Sequence, residues 1–189
     1  MKILNLYAGI GGNRMAWGNE HEVTAVEISE EIAAQYKATF PKDIVVVTDA
    51  HQYLLDHYQE FDFIWSSPPC PTHSKLNYCM KLKRYPSMML YQEIIFLQTW
   101  FKGNFVIENV KPYYKALIDP AVELGRHIFW SNKPIAEKKF TNIDISRCTI
   151  EELSENLGIP IPTINKARLL LRNCLHPDIS KHIFEEVNK

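Results

Sequence analysis

Four short apolar runs rich in β-branched and aromatic residues, at 3–7, 23–28, 44–48 and 61–66, are separated by stretches with helical spacing. That alternation leaves few ways to fold. Residues 29–40 open on a serine followed by two glutamates, the pattern of a capped helix start, and 51–58 have helix-compatible spacing. A long amphipathic stretch at 86–102 precedes two further strand-like runs at 105–110 and 127–130. The expected fold is α/β, with a mainly parallel sheet and helices on both faces. Ligands of such sheets bind at the carboxyl ends of the strands. At 189 residues the chain suits one compact domain.

The unusual residues fall at those strand ends. The first run leads into Tyr7-Ala8-Gly9-Ile10-Gly11-Gly12, where glycines let backbone approach a ligand and a following helix would offer free N–H groups. Glu27 closes the second run and Asp49 follows the third. Each feature alone also reads as a tight turn or a helix cap. Together they suit an adenosine-containing cofactor whose ribose hydroxyls donate to Glu27, and the lack of G-x-G-x-x-G argues against a dinucleotide.

The fourth run ends in Ser66-Ser67-Pro68-Pro69-Cys70-Pro71-Thr72-His73-Ser74, which places a cysteine in a loop stiffened by three prolines. A nucleophile suits that position better than an inert packing thiol. The fifth delivers Glu108 to the same edge, where a partly desolvated carboxyl can hold a proton near neutral pH and donate it; a turn cap is the plainer role. After Cys70, residues 73–85 interleave lysines with tyrosines, either as a solvated loop or as a surface for phosphates.

In this order these features resemble the DNA cytosine carbon-5 methyltransferase family. Tyr7 to Gly12 is similar to the family's F-x-G-x-G-G loop, with Tyr7 in place of the usual Phe. Pro69-Cys70 with Ser74 matches its P-C-x-x-x-S motif, and Glu108-Asn109-Val110 matches its E-N-V motif unchanged. Arg172-Asn173-Cys174-Leu175-His176-Pro177 resembles a drifted copy of the last motif, G-N-S-V-P-P.

The resemblance implies a Rossmann-like S-adenosylmethionine-dependent methyltransferase fold acting on DNA. It implies a cofactor site built from Tyr7, Gly9, Ile10 and Gly11, from Glu27 with Ile28, from Asp49 with Ala50, and from Pro69 and Asn173. Cys70, Glu108, Asn109 and Arg126 would be catalytic, and Ser74 and Lys75 would touch the substrate. Cytosine carbon 5 is too electron-poor to attack a methyl sulfonium, so the Cys70 thiolate would first add to carbon 6 while Glu108 protonates ring nitrogen 3. That addition needs the base flipped out of the stack.

Two departures stand out. The family's Q-x-R-x-R motif is reduced to Gly125-Arg126-His127, with Arg126 as the candidate cytosine contact and an alignment that can slide by one. The target recognition region is short, which divides the chain into a core at 1–130, a reduced recognition or connecting region at 131–167, and a segment at 168–189 returning to the core. Residues 149–171, with Gly158 between two helical stretches, faintly resemble a helix-turn-helix. Selectivity would then be short or relaxed, or supplied by a homodimer or an accessory subunit.

Composition removes other classes. With 46% hydrophobic and 23% charged residues, and no apolar run near the ~20 needed to span a membrane, a soluble cytoplasmic protein without a membrane partner is expected. The cysteines at 70, 79, 148 and 174 form no C-x-x-C pair, so neither a metal nor a disulfide framework is expected. A net charge of −1 means that attraction to DNA must come from a local patch. Rival readings are an amino-group methyltransferase, in which an aromatic residue would follow Ser67-Pro68-Pro69, an RNA or nucleotide cytosine methyltransferase, and a non-catalytic relative.

Overall fold

The computed structural model describes residues 1–82, 84–140 and 147–189, so Lys83 of the basic loop and residues 141–146 of the connecting region lie outside the described residues. Among the described residues, β1 (Lys2–Leu6), β2 (Glu22–Glu27), β3 (Ile44–Val47), β4 (Phe63–Ser66), β5 (Asn104–Val110), β6 (Val122–Leu124) and β7 (His127–Ser131) form one sheet in the order β3-β2-β1-β4-β5-β7-β6. β1 to β5 pair in parallel, whereas β7 runs antiparallel to both β5 and β6. The strand β6 was not expected, because three residues are too few to display a period of two.

Side chains alternate between two cores. Ile3, Phe63, Trp65, Val106 and Phe129 point to one face, and Leu4, Leu6, Ile64, Phe105, Ile107, Ile128 and Trp130 to the other. The second face is covered by α2 (Ala50–His57) and α3 (Met89–Trp100), through Leu54, Leu90, Ile94 and Leu97. Tyr36 of α1 (Glu30–Thr39) packs on Ala25 and Val45, while α6 (Pro177–Val187) covers the first face. Sequence reading missed α6 as a separate helix. It starts with Pro177 in its first turn, and Phe184 stacks on Trp17 at 5.4 Å, with Trp17 Nε1 donating to Ser180 Oγ at 2.9 Å.

A third, smaller core joins Leu153 and Leu157 of α4 (Ile150–Leu157) and Leu171 of α5 (Ala167–Asn173) to Ile10 of the glycine loop. The expected capping box forms between Thr149 and Glu152, and Gly158 ends α4 at φ 64°. Residues 158–166 separate the two helices, far more than a helix-turn-helix allows, and the apolar faces of both are spent on the glycine loop.

The chain runs outward from β1 through β2 to β3 and then restarts beside β1 with β4. A crevice therefore opens beyond the carboxyl ends of β1 and β4, the topological switch point where ligands of such sheets sit.

Candidate active site

At that switch point lies a cavity of about 320 Å³. Its walls come from five parts of the chain: Tyr7, Gly9 and Ile10 after β1; Pro69 and Cys70 after β4; Glu108 and Asn109 of β5; Arg126 and His127 at the start of β7; and Asn173, Cys174 and Leu175 at the end of α5 and just beyond it. Gly9 has φ +54°, and a Cβ built on it would meet nothing within 4 Å, so this backbone faces open space. Gly12 is needed for the opposite reason, since its Cβ would stand 2.5 Å from Cys174 Cβ.

The expected α-helix after the glycine loop is replaced by one 3-10 turn at Arg14–Ala16. Arg14 turns inward to pair with buried Asp43 at 2.9 Å and to donate to Gly18 O, and Asn13 donates to Asn5 Oδ1 at 2.7 Å, so both side chains tie the turn to the sheet.

The remaining cofactor candidates stand outside this cavity. Glu27 Oε2 accepts from Gly9 N and Oε1 from Ser29 N, both at 3.0 Å, so the carboxylate braces the glycine loop against the start of α1. Beside it Ile28 is 69% exposed. Asp49 caps α2 by accepting from Gln52 N at 2.8 Å, with Ala50 buried behind it. Gly11 packs against the Phe40 and Tyr36 rings. Ser74 caps the short turn Lys75–Cys79 by accepting from Leu76 N, and Lys75 is exposed, so neither lines the cavity.

Cys70 is half-buried and its thiol is pushed up, first by burial and then by Glu108. Its carbonyl accepts from His73 N and Ser74 N at 2.9 and 3.0 Å, which closes the Cys70 loop into a turn. Asn109 Nδ2 donates to Pro68 O at 3.0 Å and so ties that loop to β5. Burial raises the Glu108 carboxyl as well, opposed by a hydrogen bond from Ser67 Oγ to Oε2 at 2.8 Å and by the charge of Arg126. A carboxyl in this setting can hold a proton.

Arg126 donates to Arg172 O and Cys174 O, which joins the start of β7 to the C-terminal end of α5. Its neighbour His127 approaches the Glu108 carboxyl, with Nε2 3.4 Å from Oε1. Burial, with Arg126 adding to it, lowers the imidazole to about 3, so the ring is neutral. Sequence reading missed His127, Ser67 and the fully buried Glu93 of α3. A carboxylate inside the apolar stripe Leu90, Ile94, Leu97 was a visible signal for the last.

The C-5 cytosine-specific DNA methylase family matches residues 1–116. The chain belongs to that family. The match takes in β1 to β5 and with them both Cys70 and Glu108, while Arg126, His127 and Asn173 lie beyond it. No curated protein matches the chain.

The solved structures similar to this methylase family member include the following three. A DNMT2 mutant from Spodoptera frugiperda is 30% identical over 61% of this chain and 37% of its own, with a TM-score of 0.44. A protein assigned as a DNA modification methyltransferase, encoded within an E. coli prophage, is 18% identical over 87% and 56%, with a TM-score of 0.49. The Entamoeba histolytica methyltransferase EhMeth is 15% identical over 93% and 82%, with a TM-score of 0.46. The chain thus spans well under half of the insect protein's length.

Among the described residues, no helix is long and apolar enough to cross a membrane, and no cluster of three His, Cys, Asp or Glu side chains could hold a metal.

Proposed function

We propose that this protein transfers a methyl group from S-adenosylmethionine to carbon 5 of cytosine in DNA, with Cys70 as covalent nucleophile and Glu108 as the acid. The observation that carries the reading is that Cys70 and Glu108 line one cavity from adjacent parallel strands, next to the glycine loop.

The residues fit the cofactor. Gly9 presents bare backbone to the cavity, and each Glu27 oxygen retains a lone pair for a ribose hydroxyl beyond the backbone N–H it already accepts. Exposed Ile28 offers an apolar face for an adenine ring, with Asp49 and Ala50 at the next strand end; Tyr7, Ile10, Pro69 and Asn173 would enclose the rest. When bound, S-adenosylmethionine supplies an electrophilic methyl group on a positively charged sulfur.

Cys70 rests as a thiol and gives its proton to solvent water as Sγ adds to carbon 6 of the flipped base. Glu108 delivers its proton to ring nitrogen 3, which draws the added electron pair into the ring and makes carbon 5 nucleophilic. The carboxylate left behind is held by Ser67 Oγ and by the charge of Arg126. After carbon 5 has been methylated and has given its proton to solvent water, expulsion of Cys70 as a thiolate restores the ring, and the ring nitrogen 3 proton returns to Glu108. Asn109 keeps the nucleophile loop in place throughout.

DNA would approach over the loop after Cys70. There Lys75, Lys81 and Arg84 alternate with the exposed side chains of Leu76, Leu82 and Tyr85, giving charge for phosphates and apolar surface for bases. We divide the chain into a catalytic core at 1–130, a reduced recognition or connecting region at 131–167 and a returning segment at 168–189. So short a middle region favours a short or relaxed target sequence, or one supplied by a second copy or an accessory subunit.

Incubation with S-adenosylmethionine and an oligonucleotide containing 5-fluorocytosine tests the reading, because fluorine at carbon 5 blocks the final elimination. A covalent adduct should accumulate, and Cys70→Ala should abolish it. An active preparation that forms no adduct and yields an amino-methylated base would overturn it, and adduct only with the RNA version would change the substrate.

A further inference from the structure

Glu93 is completely buried on α3, where the other inward residues are Leu90, Tyr91, Ile94 and Leu97. Its Oε1 accepts a hydrogen bond from the Tyr7 hydroxyl at 2.6 Å and lies 3.0 Å from His51 Nδ1. Its Oε2 accepts from Ser66 Oγ at 2.7 Å. Carboxylates are seldom kept from water unless paired and hydrogen-bonded, and this one has a partner for each direction.

The three partners come from the ends of β1 and β4 and from the first turn of α2. Tyr7 follows β1, lines the cavity and holds a positive φ of 54°. Such a backbone angle is costly for a residue with a side chain and persists where the surroundings enforce it. Ser66 closes β4 and directly precedes Ser67, which holds Glu108, in the segment that leads to Cys70. His51 stands in the first turn of α2, two residues after Asp49.

We propose that Glu93 is a positioning residue that keeps the cofactor loop after β1 and the nucleophile loop after β4 in one fixed relation, with His51 as its titrating partner. This rests on the function proposed above for the cavity.

The groups that act on His51 are Glu93 from α3 and Asp49 from the cap of its own helix, both negative, while the Tyr7 hydroxyl shares Glu93 Oε1. The hydrogen bond to Glu93, ahead of the opposing effect of burial, holds the imidazole above its ordinary value. Below the raised His51 value the ring is an imidazolium facing Glu93 Oε1. As pH rises through the raised His51 value the positive charge leaves the ring, and Glu93 keeps only neutral donors, whose hydrogen bonds are weaker than charge-assisted ones. Cofactor affinity should therefore be highest where His51 is charged and should fall with rising pH.

The test is calorimetric titration of S-adenosylhomocysteine into wild type, Glu93→Gln and His51→Gln from about pH 5.5 to about pH 8.5, the range in which histidine titrates. Wild type should bind more weakly as pH rises, and His51→Gln should flatten that profile. Glu93→Gln should weaken binding about tenfold, the worth of a hydrogen bond to a charged group, and lose the pH step. His51 lies at the edge of the network, so His51→Gln remains informative if Glu93→Gln does not fold. Wild type that binds, with the folded variants unchanged in affinity and profile, would overturn this inference alone. Wild type that binds no S-adenosylhomocysteine at any pH would overturn the proposed function and this inference with it.

Discussion

Ser67 Oγ donates a hydrogen bond to Glu108 Oε2 at 2.8 Å, so the segment that leads to Cys70 also holds the carboxyl on the next strand. The same oxygen accepts from Trp65 Nε1 at 3.1 Å, which orients the hydroxyl hydrogen toward the carboxyl.

Ser67→Ala removes an interaction that lowers the Glu108 value. An ordinary thiol titrates far above an ordinary carboxyl, so the lower inflection of the pH–rate profile belongs to Glu108 and the upper one to Cys70. In Ser67→Ala the lower inflection should move to higher pH while the upper one stays. kcat/KM should fall by about ten- to a hundredfold, in line with loss of one hydrogen bond to a buried charged group. Ser67→Thr, which retains the hydroxyl, should restore both.

His127 is held neutral in the fold, at about 3, against an ordinary value of 6.5. Between these values the unfolded chain binds a proton that the folded chain refuses. Its destabilising effect is therefore absent above the unfolded value and grows as pH falls through the window toward the folded one. His127→Gln should lose this contribution. The difference between wild type and variant in urea unfolding should change by up to about 1.4 kcal/mol per pH unit in that window and level off near neutrality.

Gly12→Ala would place a methyl group where Cys174 Cβ already stands. Overpacking of this kind costs about 1–3 kcal/mol, and here the displaced element is the turn that carries Asn173 and Cys174 into the cavity. Thermal unfolding should show a lower Tm, and S-adenosylhomocysteine should bind more weakly. Cys174→Gly in the same chain should recover part of both losses.

Phosphate neutralisation by the loop after Cys70 should appear in the salt dependence of DNA binding. Replacing Lys75, Lys81 and Arg84 together by Gln should reduce the slope of log affinity against log salt by about one for each phosphate that the loop no longer neutralises. An unchanged slope would place the DNA on another surface.

The strands and their order along the chain were legible because each is a short apolar run rich in β-branched or aromatic residues, as a parallel sheet covered on both faces requires, and ends in a residue with a chemical reason to be there. Cys70 and Glu108 were found the same way, from strand ends that a parallel sheet must bring to one edge. What escaped depended on partners distant in sequence. Ser67 reads as one more loop serine until Glu108 is placed opposite it. His127 became a neighbour of Glu108 only through the antiparallel register of β5 and β7, in which Val110 pairs with His127. The helix expected after Gly12 failed because Asn13 and Arg14 spend their side chains on Asn5 and Asp43.

The wall contributed by residues 173–175, held down by α6 against Trp17, has a consequence for assembly. The glycine loop and the segment that closes it are more than 160 positions apart along the chain, so the ligand chamber is completed by one of the most non-local pairings in the molecule. Loss of the C-terminal helix should leave a protein with much of its sheet but no enclosed chamber, and ligand protection against proteolysis would report on the final docking step.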